Sequence, residues 1–225
     1  MNARFFNVHS HRKPGSADEF ICRNAFHFLS AASLKKLPYP VSVGVHPWHA
    51  AQFSEAVWQR LRDCTNLPQV LAIGETGIDR RKGPALEIQM LSWEAHFRLA
   101  QETGLPLVLH CVRAWQDVLP LVSRSQVPVL LHDFKGNEEV LKSFLRFPKV
   151  FFSFGKSLML SSEAQQILKL VPEDRLLAET DNSAFTIEEI YLKAAGIFGK
   201  NPEEIGAQMK KNALAFFGAK ALAFF

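Results

Sequence analysis

The sequence predicts an α/β fold, a TIM-type barrel of parallel strands and intervening helices, and three observations predict it. Apolar, often β-branched runs alternate with longer segments of helical period, the pattern of repeated βα units. Eight such runs fit within 225 residues, a length usual for this architecture. Six residues suited to a divalent cation, His9, His11, Glu75, His110, His132 and Asp181, stand at or just after the ends of these runs. Only a fold that gathers strand ends brings such distant residues together, and a parallel barrel does so at its C-terminal face.

The strand-like runs cover residues 5–8, 20–25, 41–45, 70–73, 105–109, 127–131, 150–154 and 176–178, the second being the weakest. Residues 87–103 carry Met90, Trp93, Phe97 and Ala100 at near-helical spacing. Gly104 then stops the helix and Pro106 opens the next strand. Residues 138–146 carry Val140, Leu141, Phe144 and Leu145, and residues 161–170 follow the next strand. Residues 188–198 and 202–217 form a helical tail, where Asn201 supplies an N-cap ahead of Pro202. No polar linker interrupts the series, so residues 1–225 read as a single domain. Residues 218–225 are apolar for a terminus and either pack on the barrel or meet another copy.

With 48% hydrophobic and 21% charged residues the chain is not a disordered one. Its longest apolar runs fall short of the roughly 20 residues of a membrane helix, and its start lacks the pattern of a secretory leader. Cys22, Cys64 and Cys111 are odd in number and form no CxxC pair. Reduced thiols and a cytoplasmic location are expected. The net charge of +4 favours a polyanionic substrate mildly.

His9 and His11 lie two apart in Val-His-Ser-His. On a strand such residues share a face, so both imidazoles can reach one ion. Glu75, at the mouth of an apolar run, needs a partner if buried: a metal, an arginine or a helix N-terminus. A carboxylate can also bridge two ions, and Asp79 beyond it shapes the loop or orients a ligand. His110 and His132 each close a proline-led apolar run, as equivalent strands of one barrel would. Asp181 can accept a proton from an attacking water, with Glu179 two residues before it in support. The set is mixed His and carboxylate, lacks thiolates and is too large for one tetrahedral ion. It suits one or two divalent ions, Mg²⁺, Mn²⁺ or Zn²⁺. Two ions about 3.5–4 Å apart would clamp a phosphoryl oxygen and activate a water.

Six motifs then stand in order: Val-His-Ser-His at 8–11, Gly-Val-His-Pro at 44–47, Ala-Ile-Gly-Glu-Thr-Gly-Ile-Asp at 72–79, Leu-His at 109–110, His-Asp-Phe-Lys-Gly at 132–136 and Glu-Thr-Asp at 179–181. From about Phe5 to the C-terminal helix the chain resembles the TatD-like metal-dependent hydrolases of the amidohydrolase superfamily, in a compact bacterial form. The resemblance implies a TIM-type barrel with a one- or two-metal site. It implies a first ion on His9, His11, Glu75 and Asp181, a second on Glu75, His110 and His132, and Asp181 as base on the attacking water. It also implies a deoxyribonuclease, a Mg²⁺-dependent 3′→5′ exonuclease taking single-stranded DNA ends. A deacylase or amidohydrolase on a small ester or amide is the alternative, and a non-catalytic barrel binding module is a third reading.

The chain departs from the family pattern in its loops. Arg12 and Lys13 follow His11 where Leu-Asp is usual, and Arg80, Arg81 and Lys82 replace the aromatic after Asp79. Cys-Val-Arg follows His110, which displaces Arg113 by one place. The stretch from His11 to His46 is short by about one βα unit, so either the second strand is brief or the barrel is irregular. Candidates for substrate contact are His46 in a loop over the site, Trp48 as a stacking surface or a packed rim residue, and Arg80, Arg81, Arg113 and Lys135 for phosphate. His27 and His96 are expected to be structural.

Overall fold

A computed structural model describes residues 3–26 and 30–225. His27 lies outside the described residues. Among them, eight parallel strands close into a barrel in sequence order. These are β1 (Phe5–Ser10), β2 (Glu19–Phe26), β3 (Val41–Gly44), β4 (Val70–Asp79), β5 (Leu107–Val112), β6 (Val129–Leu131), β7 (Val150–Phe154) and β8 (Leu176–Ala178). The last strand closes on the first through Asn7 opposite Ala178, and an isolated bridge joins Ser10 to Asp181.

The helices are α1 (Ala31–Leu34), α2 (Glu55–Thr65), α3 (Leu86–Thr103), α4 (Trp115–Val122), α5 (Glu138–Leu145), α6 (Lys156–Leu160), α7 (Ser162–Leu168), α8 (Ile187–Phe198) and α9 (Pro202–Phe217). The caps follow the local sequence. Gly104 takes the left-handed conformation that ends α3, and capping boxes start α8 at Thr186 with Glu189 and α9 at Asn201 with Glu204. Four helices escape the sequence reading, the short α1 and α6 among them. In α2 the apolar stripe is sparse, and α4 hides behind Pro120 in its last turn.

The missing chain length is taken from connections, not from strand β2, which runs to eight residues. A brief second strand is therefore corrected: residues 11–18 link β1 to β2 without a helix, and among the described residues between β2 and β3 the one helix is the four-residue α1. Strand β4 also extends beyond residues 70–73 and carries Glu75 and Asp79 within it. Its ladder to β5 shifts register between Ile73 and Thr76, a bulge that falls on Glu75. Gly74 (φ 139°) and Gly77 (φ 137°) flank it, where a Cβ would meet backbone oxygens of Val108 and His110 on β5. Only glycine allows the backbone of β5 to approach this closely.

Two apolar layers hold the barrel. One lies between strands and helices, with Val43, Ile73, Leu109, Trp93 and Phe152 among its buried residues. The other fills the barrel floor with Phe6, Phe20, Leu71, Val108 and Leu130, closed from below by Phe216 and Phe217 of α9. The tail resolves as a packed end: Phe225 stacks edge-on against Phe6 at 4.8 Å and Phe20 at 4.9 Å. Lys220 donates to the carbonyls of Leu67 and Val70, each at 2.8 Å. All three cysteines are unpaired, and no described helix is long and apolar enough to cross a membrane.

Candidate metal centre

Five imidazoles and two carboxylates converge at the C-terminal mouth of the barrel among the described residues. Glu75, 3% exposed, is the hub. Its Oε1 lies 2.7 Å from His110 Nδ1, 2.9 Å from His132 Nε2 and 3.2 Å from His46 Nε2. Its Oε2 lies 3.3 Å from His9 Nε2 and 3.4 Å from His11 Nε2, and accepts from Asn24 Nδ2 at 3.0 Å. Asp181 Oδ1 is 3.3 Å from His11 Nε2 and 3.7 Å from His9 Nε2.

The backbone between β1 and the residues after β8 sets the Asp181 side of this arrangement. His11 N donates to Asp181 O, and Asp181 N to His9 O, each at 3.1 Å. Below them, the Asn7 amide donates to Thr180 Oγ1 at 2.8 Å and accepts from Thr180 N at 3.0 Å. These bonds tie the two closing strands together just beneath His9 and Asp181.

Outer partners orient the remaining rings. Glu179, fully buried, lies 3.2 Å from His132 Nδ1, and its other oxygen accepts from Ser153 Oγ. Asp79 Oδ2 lies 3.3 Å from His110 Nε2 and accepts from Trp48 Nε1 at 2.6 Å, while Oδ1 accepts from the amides of Arg81 and Lys82. A carboxylate on one ring nitrogen aims the other nitrogen inward with its lone pair available, the usual dress of a metal-bound histidine. Asp79 thus shapes its loop and orients the His110 ring.

His46 differs from the other four. Its Nδ1 accepts from Trp48 N at 3.1 Å, so the proton sits on Nε2, which donates to Glu75. Burial also holds its pKa below the ordinary histidine value despite the carboxylate beside it. His46 therefore faces the centre as a neutral hydrogen-bond donor.

The donor set fits a metal. His9 is fully buried; its Nε2 lies 3.3 Å from Glu75 Oε2 but not in line for a hydrogen bond, and Nδ1 has no hydrogen-bond partner among the described residues, an arrangement that a cation on the ring would relieve. Ligand atoms of His9, His11 and Asp181 lie within 4.8 Å of one another, as do those of His9, Glu75 and His132. His9 thus stands between the two implied ligand sets. Electrostatics agree. Burial opposes charge on Glu75, but the charge of His132 and bonds from His11, His110 and His132 hold it well below the usual carboxylate range. Burial likewise opposes charge on His11, yet Asp181 and Glu75 outweigh it and lift its pKa to about 9. His132 is raised against its burial by Glu75 and Glu179. Asp181 is lowered against its burial, chiefly by the bond from His11.

The remaining candidates ring the mouth. Trp48 is 43% exposed, with Lys82 Nζ 4.4 Å above its ring. Arg80 turns outward to grip Asp117 with two nitrogens at 2.6 and 2.7 Å. Arg113 is exposed, and Lys135 pairs with Asp133 at 2.5 Å. His96 is structural, as expected: its Nε2 accepts from Val45 N at 3.0 Å. Cys111, beside His110, joins none of the donor groups. Asn24 and Ser153 went unread in the sequence; Asn24 carried a signal, a polar residue inside a weak apolar run.

Comparisons with known proteins follow this geometry. The model of a family described as TatD related DNase matches residues 20–218. A 3′-5′ ssDNA/RNA exonuclease TatD from Erwinia billingiae is 30% identical over 207 residues, covering 78% of this chain and 76% of the relative. Its counterpart from Pantoea vagans is 29% identical over 206 residues, with 78% and 76% covered. The crystal structure of a TatD homologue from Escherichia coli K12 superposes with a TM-score of 0.82 at 19% identity, over 97% of this chain and 100% of that one. A TatD family hydrolase from Entamoeba histolytica gives 0.77 at 17% identity, over 97% and 99%. The two structures share the barrel, while the family match and the relatives reach further: the chain belongs to the TatD related DNase family and is a metal-dependent hydrolase.

Proposed function

We propose that the chain is a 3′→5′ exonuclease on single-stranded nucleic acid, DNA above all, with one or two ions of Mg²⁺, Mn²⁺ or Zn²⁺ at the barrel mouth. One observation carries the reading: the buried Glu75 carboxylate is met on both oxygens by imidazoles from separate strand ends. The likeness to the 3′-5′ ssDNA/RNA exonucleases of Erwinia and Pantoea supports the substrate class.

His9, His11, Glu75 and Asp181 would hold one ion, and Glu75, His110 and His132 a second. When bound, such ions stabilise charge on the phosphoryl oxygens and make water a stronger acid. The chain's own groups do the rest. Asp181 is the carboxylate that water reaches, its side chain 33% exposed against 3% for Glu75. It stays ionised at neutral pH and takes the proton of the attacking water. His46 Nε2, which donates to Glu75 here, would turn its one proton to a phosphoryl oxygen once Glu75 holds the ions. The exposed face of Trp48 takes a base, and Arg81, Arg113 and Lys135 draw in phosphate. Arg80, already bound to Asp117, adds field rather than contact. One barrel domain over residues 1–225 houses this activity, and the unpaired cysteines suit the cytoplasm.

The test is metal analysis joined to a panel of single-stranded DNA, RNA and a simple ester. Loaded protein is expected to shorten single strands from the 3′ end, with a rate that falls steeply as salt rises. Ester turnover with a flat salt response would replace the nuclease by a deacylase.

A further inference from the structure

We propose that the cleft between the β6–α5 connection and helices α6 and α7 is a nucleotide subsite, which takes one unpaired base of the strand whose phosphodiester lies at the metal centre. The inference rests on the nuclease reading above and adds to it a place for the neighbouring nucleotide.

The cleft holds about 670 Å³ and is lined by Lys135, Asn137, Lys156, Leu160, Ala164 and Ile167, among others. That volume is within the range of small-ligand sites. One wall follows the C-terminal end of β6, and the other is built by α6 and α7, which follow that of β7. One residue joins the two walls. Asp133 Oδ1 accepts from Ser157 Oγ at 2.6 Å, at the start of α6, and Asp133 Oδ2 pairs with Lys135. Asp133 directly follows His132, so the walls of the cleft and a metal-facing imidazole are positioned by adjacent residues.

The lining matches a nucleotide in kind. Leu160 is 65% exposed and, with Ala164 and Ile167, offers an apolar wall to a flat base. Lys156 supplies a cation for phosphate beside Lys135, which is held by Asp133, and Asn137, whose Oδ1 caps α5, offers its Nδ2 to a base edge. The acidic residues of the rim have partners of their own: Glu138 pairs with Lys142, and Glu163 accepts from Ser161 Oγ, each at 2.7 Å. A base seated here cannot remain paired in a duplex, so the cleft selects single strands.

The test compares an intact single-stranded oligonucleotide with copies carrying one abasic residue at each of the last three 3′ positions. For metal-loaded wild type, kcat/KM is expected to fall about tenfold for one abasic position. In Leu160→Asp that ratio is expected to approach one. A wild-type ratio near one at every position overturns the subsite, as does a Leu160→Asp ratio equal to that of wild type. Failure of metal-loaded wild type to cleave any of these strands overturns the nuclease reading instead, and the subsite with it.

Discussion

Trp48 and Asp79 are joined by a 2.6 Å hydrogen bond from the indole Nε1 to Oδ2. The same oxygen lies 3.3 Å from His110 Nε2, so a half-exposed ring at the rim shares its anchor with an inward-facing imidazole. Asp79→Asn weakens the acceptor for both and loosens the loop whose amides bind Oδ1. Metal affinity is expected to fall about 10–100-fold. Competition with a chromophoric chelator measures it, and an unchanged affinity would show that His110 holds its orientation without Asp79.

Asp181→Asn keeps an oxygen toward His11 but cannot take a proton. Turnover of single-stranded DNA is expected to drop about 10²–10⁴-fold. Elemental analysis of the same protein should still find metal, held through His9, His11 and Glu75. Near-normal turnover would remove the assigned role of this residue.

Metal loading should release protons. The folded pKa of His11, about 9, lies above its ordinary value of 6.5, so at pH 7 the metal-free protein carries the proton that ligation must expel. The same sign governs stability. In the metal-free protein the His11 contribution is complete below pH 6.5 and is lost as pH rises through about 9. Calorimetric titration at pH 7 in two buffers of different ionisation enthalpy counts the protons, and identical heats would contradict the prediction.

Ser153→Ala deletes a small hydroxyl that donates to fully buried Glu179. One oxygen of a buried carboxylate then lacks its donor, at an expected cost of about 1–3 kcal/mol. Chemical denaturation of metal-free protein tests this; a loss below about 0.5 kcal/mol would mean that another group satisfies Glu179.

Much of this centre is legible in the sequence because its ligands share one construction. His110 and His132 end apolar runs and His9 lies near the end of one, and such runs reveal strands without knowledge of their neighbours. Glu75 was legible as a residue but its strand was not, since Gly74 and Gly77 look like a loop while serving a bulge pressed against β5. His46 sits in a 3-10 turn with no periodicity to read, and only the fold reveals that its ring reaches Glu75. Arg80 looked like a phosphate contact because its partner, Asp117, lies 37 residues away on another loop-to-helix junction. Long-range pairings of this kind leave no local trace.

The closure of β1 on β8 has a consequence for how the protein comes into being. The residues that hold His9, Asn7 against Thr180 and the His9 carbonyl against Asp181, wait for a segment made some 170 positions after it. Until then Phe6 and Phe20 also lack the aromatic cover of Phe217 and Phe225. Between those two points the nascent chain carries an open sheet edge and scattered imidazoles, so competence for metal is expected to arrive as one event on closure rather than strand by strand.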